Sequence, residues 1–391
     1  MELADGVALS VFYSGAFLMP LVAARIGIPS SVAEILFGLA VGAAGVVGER
    51  ETTSFLAELG FIYLMFLVGM EIDFNRIERE GARTVLAASA VAILVLAGGA
   101  AVARALGMPP FMALVLGAMS VGVLLVVLRE LGASQSRWGQ TFLLVGSIGE
   151  FLTLMTLTFL SLTAAHGGGF ELGLSALEVT LLFLVSFVLL ASLRLLVWWF
   201  PHAFRRWVSA EDPSELGVRF GFVLMLALAT LAVWVGLESI LGAFLAGILF
   251  TFVFRETGHL ETKLVALGQG FFVPLFFINV GVTFDWEAVS DPLGLGRTVL
   301  ALGAVSLVVK LLPSLLLLAL RIPLREVLAG AFLLATPLTL LVAIAALGAQ
   351  IGAMDPATSA GVILLATASS LLFPTACRLI APRASQVSGG A

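Results

Sequence analysis

Charge is scarce in this chain. Asp, Glu, Lys and Arg make up 12% of its residues, against about a quarter in soluble domains, while 60% are hydrophobic and the mean hydropathy is +1.13. A soluble fold this apolar lacks the polar surface to cover its own core. The 391 residues are therefore expected to form one bundle spread through a membrane, and not the two or three soluble domains that length alone suggests. Cysteine is nearly absent: the single Cys377 excludes an intrachain disulfide. With three histidines and no Cys/His cluster of metal-site spacing, zinc, haem and iron–sulfur chemistry are excluded, and no cofactor is expected. The balance of 20 Lys and Arg against 25 Asp and Glu, net −5, leaves no basic patch for nucleic acid. Long hydrophilic segments are missing too. The longest loops, near 165–175 and 201–216, are too short for a catalytic or nucleotide-binding domain, so the chain is not expected to be an enzyme. The start, Met1-Glu2-Leu3-Ala4-Asp5, has no basic region, which makes residues 7–24 a first span and not a removable signal.

What the sequence does have is apolar runs of membrane-crossing length, roughly 20 residues each. Thirteen are found, near 7–24, 31–48, 55–70, 84–103, 109–128, 139–164, 176–200, 217–236, 238–254, 264–284, 295–320, 326–347 and 358–380. The weakest division lies between the eighth and ninth, where only Gly236, Leu237 and Glu238 interrupt the run. With the N-terminus outside, fifteen Lys and Arg gather on the cytoplasmic side, Arg50, Arg104 and Arg297 lie outside, and Arg194 and Lys310 fall within the membrane. That asymmetry predicts an N-out, C-in integral membrane protein, with 384–391 a short disordered tail.

In such a protein chemistry is sought inside the spans, where each charge is costly and is a functional hypothesis by default. Glu150 leads, deep in the sixth run within Gly146-Ser147-Ile148-Gly149-Glu150-Phe151-Leu152-Thr153. Ser147 and Thr153, three residues to either side, share its helix face. A carboxylate and hydroxyls are hard oxygen ligands suited to a small alkali cation. Burial disfavours the bare carboxylate, so the group holds a proton or a cation but not readily both, and that competition is an antiport mechanism. The alternative is a protonated structural Glu that ties one helix to another. Lys310, near mid-depth in the eleventh run, needs an internal partner, for which Glu150 is the obvious candidate; a structural tether and a role in turnover both stand. Glu34 and Glu238 fit a vestibule or, more simply, the rims of their spans. Glu71 and Asp73 read as solvated at the inner end of the third span, and His166, His202 and His259 as loop residues outside any proton relay.

Two spans look breakable. The fifth carries Gly117-Ala118-Met119-Ser120-Val121-Gly122, and the twelfth carries Thr336-Pro337-Leu338-Thr339, where Pro337 lacks an N–H and frees a carbonyl one turn earlier. Transporters place such discontinuous helices at corresponding positions of two inverted repeats. The fifth and twelfth spans differ by seven, which predicts a first repeat over 7–164, a linking helix at 176–200 and a second, upside-down repeat over 217–380, all in one transmembrane domain. Glu150 then follows the first break and Lys310 precedes the second. Gly and Pro are also common in spans that merely kink.

The order and spacing of several stretches resemble the monovalent cation:proton antiporter-2 family, bacterial relatives of sodium/proton exchangers, along nearly the whole chain. These are Ala33-Glu34-Ile35-Leu36-Phe37-Gly38-Leu39-Ala40-Val41-Gly42, then Phe66-Leu67-Val68-Gly69-Met70-Glu71-Ile72-Asp73, Leu241-Gly242-Ala243-Phe244-Leu245-Ala246-Gly247, and Phe271 through Gly281. The resemblance implies an all-α, sodium/proton antiporter-like fold with crossed broken helices, elevator-type exchange and a homodimer. It places Glu150 at the family's ion-binding carboxylate, commonly Asp, and Lys310 at the buried basic residue that pairs with core carboxylates. Ser120 falls in the first broken helix and Thr336, Pro337 and Thr339 in the second. Gly149 departs from the family, which often has Asp, Asn or Gln there, and leaves one acid where electrogenic members have two. The second broken helix lacks the Gly-Glu pair many members carry near Leu338-Thr339, and the nucleotide-binding regulatory domain of the potassium-efflux branch is absent from this sequence. The expected function is electroneutral exchange of Na⁺, K⁺ or Li⁺ for H⁺, with the cation and proton as cargo and the bilayer as surroundings. A sodium-coupled solute symporter, and a channel or non-transporting sensor, are the alternatives.

Overall fold

The protein is described in a computed structural model for residues 3–47, 50–71, 81–166, 188, 214–234, 237–254, 258–284 and 292–381. The linking helix expected at 176–200 with Arg194, most of the loop around His202, Asp73 and the tail 384–391 lie outside the described residues.

All described regular structure is helical. In chain order the helices are α1 (Leu3–Ile26), α2 (Ser30–Ala43), α3 (Glu51–Met70), α4 (Ala82–Ala105), α5 (Pro110–Gly117), α6 (Gly122–Glu130), α7 (Arg137–His166), α8 (Leu216–Trp234), α9 (Ser239–Val253) and α10 (Gly258–Leu267). A π-helical turn, Gly268–Phe272, joins α10 to α11 (Val273–Val282); α12 (Pro292–Ser314) runs through Pro313 into a 3₁₀ segment, Leu315–Leu320. The chain closes with α13 (Leu324–Leu334), α14 (Leu338–Gln350) and α15 (Pro356–Ile380). Counting α5–α6 and α13–α14 as single interrupted spans, ten candidate membrane crossings are found among the described residues.

The expected second and ninth spans, α2 and α9, are helices of only 14 and 15 residues, short of the roughly 20 that a full crossing takes. Helix α2 ends at Ala43, five residues before the expected boundary. Gly45 there adopts a left-handed conformation (φ +62), and the N–H groups of Gly45 and Val46 turn back to the carbonyls of Gly42 and Val41. Glycine alone takes that conformation without strain, so the helix closes with a Schellman motif. The weakest expected division is a real one, since α8 stops at Trp234 and α9 starts at Ser239. His166 ends α7 and His259 is the second residue of α10, so both sit at helix ends and not in loops.

The chain divides into two compact units, each made of two stretches of sequence. The first combines Met1–Phe74 with Ala165–Thr283. Within it α2 packs on α11, α3 on α9 and α11, and α8 on α9. These helices approach until backbone meets backbone. A Cβ placed on Gly69 would lie 2.1 Å from the Phe244 carbonyl oxygen, and one on Gly247 would lie 2.0 Å from that of Phe66. The Tyr63 ring is fully buried between Phe222 and Phe272, and its hydroxyl donates to the Leu264 carbonyl at 2.9 Å.

The second unit combines Asn75–Ala164 with Phe284–Ala391. Its core joins Val91, Val95, Leu124, Phe142, Leu143, Leu333 and Leu334 from four helices. The interrupted helices are its innermost members. The most apolar windows of the α5–α6 and α13–α14 spans are 72% and 83% buried, against 28% for α4, whose Leu86 and Ile93 face outward. Helix α5 packs on α14 and α6 on α13, so the first half of each interrupted span meets the second half of the other.

Replacing Gly247 by Val forces α3 and α9 apart. The expected loss is about 1–3 kcal/mol, read as a lowered unfolding temperature in detergent. Gly296→Ala on α12, where an added Cβ meets nothing within 4 Å, is expected to leave that temperature unchanged or slightly raised.

Candidate functional site

The site is built on the interruption between α5 and α6. Helix α5 ends at Gly117 and α6 begins at Gly122, with Ala118 extended (φ −58, ψ 138) between them. An interrupted helix leaves the carbonyls of its first half and the N–H groups of its second without intrahelical partners. Inside a buried segment each must be satisfied by another group.

Two buried ionisable side chains do this from opposite sides. Glu150, on α7 and 0% exposed, takes the N–H end: Ser120 Oγ donates to its Oε1 at 2.7 Å and the Val121 N–H to its Oε2 at 3.3 Å. Lys310, on α12 and also 0% exposed, takes the carbonyl end: its Nζ donates to the Leu116 carbonyl at 2.7 Å and to Ser306 Oγ at 2.7 Å. The pairing follows the helix dipole, which favours an anion at a helix N-terminus and a cation at a C-terminus. The partner expected for Lys310 from sequence was Glu150. Lys310 bonds instead to a backbone carbonyl of the broken helix, while the Glu150 carboxylate is engaged by Ser120 and Val121.

The second interruption, Ala335–Pro337 between α13 and α14, comes to the same place through Thr339, whose Oγ1 lies 3.4 Å from Ser120 Oγ. Ser120 is 4% exposed and Thr339 only half-buried, so the chain of oxygens runs from Thr339 through Ser120 to Glu150 toward the interior. The other expected hydroxyls are buried but turned elsewhere. Thr153 Oγ1 donates to the Gly149 carbonyl at 2.6 Å, and Thr336 Oγ1 to the Leu333 carbonyl at 2.6 Å. Ser147 is 6% exposed, one helical turn before Glu150. The structure thus joins Glu150, Ser120 and Thr339 by direct contacts and attaches Lys310 through Leu116, while Thr153 and Thr336 give their hydroxyl hydrogens to nearby carbonyls.

Sequence reasoning missed three members. The Val121 N–H and the Leu116 carbonyl are backbone groups, which no residue type announces. Ser306 carried a signal, standing four residues before Lys310 and hence on the same helix face. Glu34, expected at the rim of its span, is buried in the first unit at 4% exposure. Among the described residues no group of three or more His, Cys, Asp or Glu side chains is placed to hold a resident metal. The oxygens at Glu150 fit a weakly held monovalent cation better than a divalent one, which draws on several carboxylates or on fixed octahedral geometry.

The chain is 33% identical over 399 residues to the putative Na(+)/H(+) antiporter YjbQ of Bacillus subtilis (strain 168), covering 95% of this chain but 62% of that protein's length. It is 27% identical over 297 residues to the Na(+)/H(+)-K(+) antiporter GerN of Bacillus cereus, covering 74% of this chain and 73% of GerN. Among solved structures it resembles the sodium proton antiporter MjNhaP1 from Methanocaldococcus jannaschii, with a TM-score of 0.63, 15% identity and 96% of each chain covered, a likeness of fold. The family model for the transmembrane part of sodium/hydrogen exchangers matches residues 13–380, and the chain belongs to that family.

Proposed function

We propose that the protein exchanges a monovalent cation for protons across a bacterial plasma membrane, with Glu150 as the group that carries either one. The observation that carries this reading is a single, fully buried carboxylate held by Ser120 Oγ and the Val121 N–H at an interrupted helix. A proton on Glu150 makes the acid neutral, and so does a bound monovalent cation; the two compete because a protonated acid is a poor cation ligand. Ser120 and Thr339 are the side-chain oxygens nearest the carboxylate along the hydrogen-bonded chain and complete the ligand set, with Ser147, Thr153 and Thr336 lining the neighbouring helices. Lys310 holds the carbonyl end of the break throughout the cycle. With its charge constant, each loaded state carries the same net charge, and turnover is electroneutral at one cation per proton.

Several wider features belong to the same reading. The interrupted helices are the fifth and twelfth apolar runs, a difference of seven, which supports thirteen spans in two inverted repeats, 7–164 and 217–380, linked by 176–200. The Lys and Arg asymmetry supports an N-terminus outside and a C-terminus inside. An elevator-type movement of the unit that holds Glu150, and a homodimer, follow from the antiporter-2 resemblance. The names of the relatives leave the ion open, since YjbQ and GerN are named for Na⁺ and GerN for K⁺ as well.

Four outcomes are expected, with exchange followed in proteoliposomes by an interior pH dye. Glu150→Gln, folded as judged by gel filtration, abolishes proton flux driven by Na⁺, K⁺ or Li⁺ gradients; wild-type exchange in that variant would remove Glu150 from the mechanism. The parent protein exchanges without transport current, and a current that scales with membrane potential would refute electroneutrality. Ser120→Ala keeps turnover but raises the half-saturating cation concentration about tenfold, the scale of one hydrogen bond to a charged group. Lys310→Met leaves the Leu116 carbonyl short of its donor and costs about 1–3 kcal/mol, read as a lower unfolding temperature together with lost exchange.

A further inference from the structure

The space over Gly149, the residue before Glu150, is taken by a side chain that offers no oxygen. Met119 lies in the unwound segment between α5 and α6, one residue before Ser120, and is 0% exposed. It is laid over Gly149, the residue just before Glu150 on α7. A Cβ added at Gly149 would lie 2.5 Å from Met119 Cε, 2.9 Å from its Sδ and 3.0 Å from its Cβ. The first two contacts are with the flexible end of the side chain, the third with its root, so no rotation of Met119 clears the place entirely. One turn earlier on α7, Gly146 admits Val121, whose Cγ2 would be 3.1 Å from an added Cβ. The unwound segment therefore beds onto α7 at two glycines, and this approach lets Ser120 Oγ and the Val121 N–H reach the carboxylate.

A thioether is a soft, weak ligand, poorly matched to a hard alkali cation. Met119 thus adds no coordination. It fills volume and keeps any side chain at 149 out of the ligand set.

We propose that Met119 is the residue that sets ion preference at this site, by filling the space over Gly149 and so limiting the cation's surroundings to Glu150, its hydrogen-bonded hydroxyls and backbone. Shortening it opens room for a larger cation or for a water carried in with one. The inference rests on the exchange reading above, because it needs a cation at Glu150.

The test measures exchange rates for Li⁺, Na⁺, K⁺ and Rb⁺ in proteoliposomes of the parent, Glu150→Gln, Met119→Leu, Met119→Val, Met119→Ala and Met119→Ala/Gly149→Ala proteins. Met119→Leu, nearly equal in volume, is expected to keep the parent order of ions. Met119→Ala shifts the ratio of apparent affinities toward the larger ions by about tenfold, the low end of what one methylene group in a pocket is worth; Met119→Val shifts it the same way by less. The double variant puts a methyl group back into the vacated space and returns the ratio toward that of the parent. Met119→Val carries the comparison if Met119→Ala fails to fold. Unchanged ion ratios in the folded Met119 variants, beside an active parent and a dead Glu150→Gln, overturn the role of Met119 alone. Exchange that survives in Glu150→Gln overturns the exchange reading, and the Met119 inference with it.

Discussion

A break in a buried helix has to be satisfied by something, and in this protein two ionisable side chains do it. The α5–α6 interruption presents carbonyls on one side and N–H groups on the other. In a buried segment each left unpaired costs roughly 1–3 kcal/mol. Lys310 meets the carbonyl end through Leu116, and Glu150 meets the N–H end through Val121, with Ser120 beside it. The dependence runs both ways. A buried ammonium or carboxylate is itself expensive unless hydrogen-bonded, and the broken helix supplies partners of the right polarity to each. Ser306 and Ser314 extend the support along α12, one taking a bond from Lys310 Nζ and the other donating to the Lys310 carbonyl at 2.7 Å.

This mutual dependence explains why the interrupted spans are the most enclosed. Unpaired backbone is tolerated at membrane depth only where protein covers it or where it lines a cavity. Continuous helices such as α4 bond all their own backbone internally and can show Leu86 and Ile93 to lipid. In the first unit helices approach closely through glycine contacts such as Gly69 against Phe244. Glycines serve the second unit differently: Gly117 and Gly122 bound the break, and Gly146 and Gly149 receive the segment between them.

Much of this was legible in the sequence, because burial cost and backbone chemistry leave marks there. The apolar runs located the described crossings to within a few residues, since a bilayer demands length and apolarity and little else. Glycines at 117 and 122 and Pro337 marked the two interruptions through the backbone freedom and the missing N–H they bring. Glu150 and Lys310 stood out because charge is rare at such depth. What stayed hidden was direction. Hydropathy does not reveal that Lys310 would choose the Leu116 carbonyl over a carboxylate, because a backbone acceptor looks the same at every position. Nor does it show that Thr153 and Thr336 would turn their hydroxyls back onto their own helices, the habit of such residues wherever a carbonyl three or four positions earlier is in reach. The short α2 was missed for a similar reason: the apolar run continues through Val46 and Val47, and only the left-handed turn at Gly45 ends the helix.

The contact between Ser120 and Thr339 suggests how one carboxylate would change occupants under the exchange proposal. The Glu150 carboxylate accepts from Ser120 Oγ and from the Val121 N–H, and under that proposal a proton or a cation has to be accommodated beside them. The Ser120 hydroxyl has a single hydrogen, now directed to Glu150, so Thr339 Oγ1, 3.4 Å away on the half-buried side, is the donor in their contact. When a cation arrives, Ser120 can swing its hydrogen toward Thr339 and turn a lone pair to the ion, changing from competitor to ligand with no movement of the main chain. When a proton replaces the ion, the hydrogen turns back. The Val121 N–H is fixed by the backbone and has no such freedom, so it holds the carboxylate in place through both states. Under that proposal adaptability resides in the hydroxyls of Ser120 and Thr339 and permanence in the Val121 N–H of the broken helix.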